Sequence, residues 1–194
     1  ASDMSQNVVF VAPFPSEAPM RFVRAVAALD DVKLLGVVHT PPPEHERHLY
    51  ADLVRVTEPM SLRDVLDGVE VLRQRHGQPH RIIGILEMLQ VNLAHARARF
   101  GVAGTSVATA ELFREKARMK DALRAAGLPV ARHALVGSEA EAFAFATEVG
   151  FPLILKPPAG MGARATFRVS APSELTRVLS GLGVSPVAPV LAEQ

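Results

Sequence analysis

Lys156 ends a short apolar run, Leu153-Ile154-Leu155, and two glycines, Gly160 and Gly162, come after it around Met161. A lysine ammonium beside a turn whose glycine N–H groups are uncovered by side chains is a donor set suited to phosphate oxygens. How such a turn could bind depends on the element it leads into. Residues 165–169 alternate, with Ala165, Phe167 and Val169 on one face and Thr166 and Arg168 on the other, so the turn returns into a half-buried strand. That excludes a helix N-terminus as the anion site. The run also lacks the third glycine of the dinucleotide fingerprint and the Gly-Lys-Ser/Thr of a P-loop. Two readings fit: a hairpin flap over phosphates, or an ordinary hairpin whose lysine snorkels to water.

Three other positions raise similar questions. Residues 109–126 have the pattern of one strong helix closed by Gly127 and Pro129, and Leu112, Lys116, Met119 and Leu123 fall on one of its faces. A lysine inside an apolar stripe either snorkels or meets a buried anion such as phosphate. Glu87 comes directly after the near-continuous apolar run 81–86. It stands either in the crevice at the carboxyl end of a parallel strand, where open α/β sheets bind ligands, or at a helix start, where it complements the dipole. His45 and His48, flanked by acids, are either metal ligands or solvated imidazoles on the proline-rich loop 39–48.

The elements that must position these residues alternate in type. Residues 8–11, 33–38, 53–56 and 81–86 read as strands, and 19–29, a stretch opening at Ser61, and 88–100 read as helices. Ser61 with Asp64 forms an acidic variant of the capping box, ahead of a stripe of Leu62, Val65, Leu66, Val69 and Leu72. Residues 101–104 read as a last short strand or turn. This alternation predicts a doubly wound parallel sheet. The loop 12–16 after the first strand contains no glycine, which opposes a dinucleotide site there and with it a Rossmann-like enzyme using NAD. Beyond the long helix lies a smaller α+β lobe: strand 132–136, a helix from the Ser138/Glu141 capping box to Val149, the hairpin, helix 170–179 and strand 189–193.

Composition narrows the class. With 48% hydrophobic and 21% charged residues in 194, the chain has the makings of a globular core rather than disorder. A net charge of +1, a single Tyr and no Trp argue against nucleic acid as a partner. No apolar run reaches the length of a membrane span and nothing at the start resembles a signal peptide, so cytoplasm is the default expectation. The absence of Cys removes thiolate chemistry.

Two segments carry a resemblance. Leu153-Ile-Leu-Lys-Pro-Pro-Ala-Gly-Met-Gly162 looks like the flap of the ATP-grasp superfamily, the biotin carboxylase and carbamoyl phosphate synthetase type of ligase. Gly104-Thr-Ser106, Leu112-Phe-Arg-Glu-Lys-Ala-Arg-Met-Lys120 and Leu123-Arg-Ala-Ala-Gly-Leu-Pro-Val130 resemble the helix that precedes that flap, with Glu115 where Asp is commoner. The resemblance implies an α/β chain: a Rossmann-like pre-ATP-grasp parallel sheet over 1–103, a linking helix over 104–130 and a flap lobe over 131–194, with the second grasp lobe absent. It implies the N-terminal part of an ATP-dependent ligase that activates a carboxylate as an acyl phosphate for capture by an amine. It further implies ATP held by Lys116, Lys156, Gly160, Met161, Gly162, Glu193 and Gln194, the last two edging the adenine. The ligands for Mg2+ would lie beyond residue 194, so the resemblance assigns neither catalytic nor metal-binding residues to this chain. The implied partners are small-molecule carboxylates and amines, with no nucleic acid or membrane and with room for a homodimer. The alternative is a non-catalytic nucleotide or ligand-binding module that keeps half of the fold.

Overall fold

The computed structural model describes residues 5–159 and 165–194, and the chain divides into two compact units, Ala1–Ala110 and Glu111–Gln194. In the first, β1 (Gln6–Val11), β2 (Val32–Val38), β3 (Asp52–Arg55) and β4 (Arg81–Ile83) form a parallel sheet in the order β3-β2-β1-β4. The central strand is buried on both faces, which is why its sequence is apolar without a break. Val9 and Val11 face a core shared with Val65, Val69 and Leu72 of α2 (Leu62–His76) and with Leu93 and Ala96 of α3 (Gln90–Phe100). Val8 and Phe10 pack on the opposite side with Met20 and Val23 of α1 (Glu17–Ala27). Ser61 caps α2 as its spacing predicts, its hydroxyl accepting from Asp64 N–H. The Asp64 carboxylate closes the turn by accepting from Glu58 N–H at 2.7 Å.

The structure departs from the sequence expectation at the end of β4. The apolar run continues to Leu86, but the strand stops at Ile83. Gly84, the next residue, still lies close against β1, where a Cβ would sit 2.8 Å from the Val11 carbonyl oxygen. The Gln90 amide then donates to the freed carbonyls of Gly84 and Leu86, both at 3.0 Å. Glu87 therefore opens a 3-10 turn, Glu87–Leu89, that leads into α3. Gly101 takes a left-handed conformation as the C-cap of α3, so a turn rather than a strand comes next.

The helix expected over 109–126 is two helices, α4 (Val107–Arg114) and α5 (Lys116–Ala125), separated by an extended Glu115 at φ −98° and ψ 93°. The break is compensated locally. Glu115 N–H still donates to Glu111 C=O at 2.9 Å, while Lys116 N–H turns to the Pro158 carbonyl at 3.4 Å. Nothing in Phe-Arg-Glu-Lys disfavours helix, so no local signal marks the interruption.

The second unit is an antiparallel sheet of β5 (His133–Val136), β6 (Leu153–Lys156), β7 (Phe167–Val169) and β8 (Val190–Glu193), in the order β5-β8-β6-β7. One face carries Val136, Leu153, Leu155, Val169, Val190 and Ala192 under α6 (Glu139–Val149) and α7 (Pro172–Leu182). Ser138 caps α6, accepting from Glu141 N–H at 3.2 Å, and the Glu141 carboxylate accepts from Gly137 N–H at 2.7 Å. Across the other face runs a row of directly opposed residues, His133, Glu193, Ile154 and Arg168, one from each strand. Among the described residues no helix is long and apolar enough to cross a membrane.

Candidate functional site

That row holds the one acidic side chain buried in the second unit's described residues, Glu193, at 8% exposure. A carboxylate taken from water needs counter-charges, and two lysines supply them. Lys156, at the end of β6, donates from Nζ to Glu193 Oε2 at 2.7 Å. Lys120, on α5, makes an ion pair with Oε1 that is close in distance without being a well-directed hydrogen bond. Burial pushes the Glu193 carboxyl up, but the two ammonium groups outweigh it and hold its pKa below the ordinary range. The cluster carries two positive charges and one negative, so a net cation remains to attract an anion.

The placement of these groups comes from the local sequence. Lys156 alternates with Leu155 on β6, which puts it with Ile154 on the face away from the core residues Leu153 and Leu155. Glu193 sits directly opposite Ile154 and alternates in the same way with Ala192. Beside it, His133 stands with Nε2 at 3.2 Å from the Asp121 carboxylate and Nδ1 at 3.3 Å from the Arg124 guanidinium. Helix α5 thus reaches the sheet through Lys120, Asp121 and Arg124, the first on β8 and the other two on β5.

Of the residues expected from the sequence, the structure brings Lys156 and Glu193 into direct contact. Lys116 is the first residue of α5, one turn before Lys120 and no longer inside a continuous helical stripe. Gln194 is committed locally: its N–H donates to the Arg132 carbonyl at 2.9 Å and its side-chain amide to the Val149 carbonyl at 3.4 Å. Gly160, Met161 and Gly162 lie outside the described residues. His45 and His48 lie exposed on the 3-10 turn Glu44–Leu49 of the first unit, and among the described residues no group of three or more His, Cys, Asp or Glu could hold a metal ion. Lys120 joins the site although its sequence context assigns it no role. The signal it does carry is spacing, four residues after Lys116 and therefore on the same helical face.

Residues 115–186 match the family model for the ATP binding domain of the carbamoyl-phosphate synthase L chain. The D-alanine--D-alanine ligase of Pseudomonas fluorescens is 33% identical over 105 residues, 54% of this chain and 30% of that protein. The carbamoyl phosphate synthase large chain of Thermus thermophilus is 35% identical over 112 residues, 57% of this chain and 10% of that protein. Among solved structures, the L-amino acid ligase of Bacillus licheniformis superposes with a TM-score of 0.74 at 16% identity, covering 98% of this chain and 44% of that one. The biotin carboxylase domain of the Hydrogenobacter thermophilus 2-oxoglutarate carboxylase, a dimer in complex with MgADP, ADP and bicarbonate, gives 0.74 at 22% identity over 98% of this chain and 44% of that one. The chain thus spans less than half the length of the relatives it matches. The chain has the fold of these ATP-grasp enzymes, and the family-model match is confined to residues 115–186.

Proposed function

We propose that this chain is the N-terminal part of an ATP-dependent carboxylate–amine ligase, organised as a pre-ATP-grasp domain over 1–103, a linking helix over 104–130 and a flap lobe over 131–194. The observation that carries the reading is the convergence of Lys120 and Lys156, from a helix and a strand, on the buried carboxylate of Glu193. Transfer of a phosphoryl group asks the protein mainly to position and neutralise charge. A fixed pair of ammonium groups with net positive charge fits the phosphates of ATP. When bound, ATP would supply the phosphoryl group that turns a carboxylate into an acyl phosphate open to attack by an amine. In this reading Lys156 and Lys116, with Lys120 beside them, neutralise phosphates, Gly160-Met161-Gly162 closes over them, and Glu193 and Gln194 edge the adenine. Among the described residues no group of three or more His, Cys, Asp or Glu could hold a metal ion, and this reading assigns no magnesium ligand to them.

The test is magnesium-dependent ADP release from the full-length protein across a panel of small carboxylates, each with and without amines. Adding hydroxylamine would trap an activated carboxylate as its hydroxamate. Turnover that requires a carboxylate and yields hydroxamate supports the reading. Tight ATP binding with no turnover on any pair would support the non-catalytic binding module instead.

A further inference from the structure

We propose that the cavity between the C-terminal parts of α2 and α3 is a second binding site, which takes a small oxyanion, a carboxylate or a phosphate, on the Arg99 guanidinium. The cavity measures about 290 Å3 and is lined by Glu70, Arg73, Gln78, Arg99 and Phe100, at the lower end of the range for small-molecule sites. It lies within the first unit. Both helices return from the carboxyl ends of the parallel strands, so their C-terminal ends stand where β4 begins. Substrates of open α/β sheets bind at the other end. The occupant is therefore an effector rather than a reactant, and the site is independent of the nucleotide reading above.

Two guanidinium groups and one carboxylate line the cavity, leaving one positive charge in excess. Glu70 and Arg73 are engaged with each other. Glu70 Oε2 accepts from Arg73 Nε at 2.8 Å, and Oε1 accepts from Arg73 Nη2 at 2.8 Å and from the Gln74 amide at 2.9 Å. Arg99 differs, because among the described residues it makes no hydrogen bond or ion pair. Its Cζ stands 5.9 Å from the centroid of the Phe100 ring. A guanidinium laid on a ring keeps its N–H edge for a planar, bidentate acceptor. Arg97, in the same helical turn, is committed elsewhere, with Nε donating to the Ile82 carbonyl at 3.0 Å and Nη1 to the Thr105 carbonyl at 3.3 Å.

The end of a helix ordinarily repels an anion through its unpaired carbonyls. Here several of those carbonyls are capped. On α2, Arg73 C=O accepts from Gly77 N–H at 2.8 Å and His76 C=O from the Asn7 side-chain amide at 2.7 Å. On α3, Arg97 C=O accepts from Val102 N–H at 2.8 Å and Phe100 C=O from the Gln78 side-chain amide at 2.5 Å. The Gln78 bond also ties the segment ahead of β4 to the end of α3, which walls the cavity on that side. Complementing the α3 dipole therefore leaves the Arg99 guanidinium without a partner, and an oxyanion supplies one.

The experiment titrates the full-length protein by calorimetry with inorganic phosphate and, separately, with succinate. It is done in about 0.15 M salt, where attraction to a diffuse basic surface is screened. Wild type, Arg99→Gln, Arg99→Lys and Lys156→Met are compared, with a thermal melt of each to show that it is folded. The expected result is one site for at least one of the two anions, retained in Lys156→Met. Arg99→Gln should weaken it by about tenfold or more, and Arg99→Lys, which keeps the charge without the fork, should weaken it as well. The anion that binds tells a carboxylate effector from a phosphate one. Absence of binding in the wild type overturns the proposal, as does affinity unchanged in Arg99→Gln. Full affinity in Arg99→Lys would mean charge attraction without a built site and overturns it too. Binding abolished in Lys156→Met would assign the anion to the nucleotide cluster, which likewise overturns the proposal while leaving the nucleotide reading intact.

Discussion

Lys156 Nζ lies 2.7 Å from Glu193 Oε2, joining two residues 37 positions apart in the chain on the face of one antiparallel sheet that α6 and α7 leave to α5. Lys156→Met should therefore have two separable effects. It removes a charge-assisted phosphate contact, weakening ATP binding by about 1.5 to 3 kcal/mol, or roughly 10- to 150-fold. It also leaves Glu193 with Lys120 alone, so the melting temperature should fall. Calorimetry with an ATP analogue and a thermal melt check the two effects, and unchanged affinity would remove Lys156 from the phosphate site.

The Glu193 bridge should be visible in acid. Its carboxyl titrates below the ordinary glutamate range in the folded chain. Its contribution to stability is thus complete above the unfolded pKa of about 4.3 and is lost as pH falls through the lower folded value. The gap in melting temperature between wild type and Glu193→Gln should be wide near neutrality and should shrink toward acid. A gap that stays constant across that range would show that the bridge does not contribute through its charge.

Gly68→Ala should destabilise, against the usual gain of roughly 0.5 to 1 kcal/mol for removing a glycine from a helix interior. The reason is the close approach of α2 to the sheet, where a Cβ at Gly68 would stand 2.9 Å from Val37 Cγ1 and 3.2 Å from Val56 Cγ1. Overpacking of this kind costs about 1 to 3 kcal/mol. Denaturant unfolding of the variant reads the sign directly.

Leu153→Ala and Phe113→Ala test where the second unit's core lies. Leu153 is fully buried under α6 and α7, so truncation should cost about 2 to 5 kcal/mol. Phe113 is 68% exposed on α4, and its truncation should stay within about 0.5 kcal/mol. Comparable losses at the two sites would mean that a further surface covers Phe113 in the working protein.

Much of the fold of both units is legible from local chemistry. The unbroken apolar character of Val8 to Val11 marks a strand buried on both faces, and the spacing of Ser61 to Asp64 and of Ser138 to Glu141 marks two helix starts whose caps form. Lys156 announces itself by ending an apolar run in front of glycines. These signals are short-range, depending on side-chain periodicity and on hydrogen bonds within a few residues.

The tertiary structure alone decides which distant groups meet. The last strand, β8, inserts between β5 and β6 rather than beside its sequence neighbours, and that order sets Glu193 opposite Ile154 and within reach of Lys156. The end of β4 at Ile83 and the break at Glu115 are likewise invisible locally. At the first the Gln90 side chain takes up the carbonyls of Gly84 and Leu86, and at the second Lys116 N–H turns to the carbonyl of the distant Pro158. The role of Lys120 belongs with these. Its residue type and helical face are readable, but its partner is not, because strand order is set by the summed burial of long-range contacts, to which no single residue's propensity corresponds.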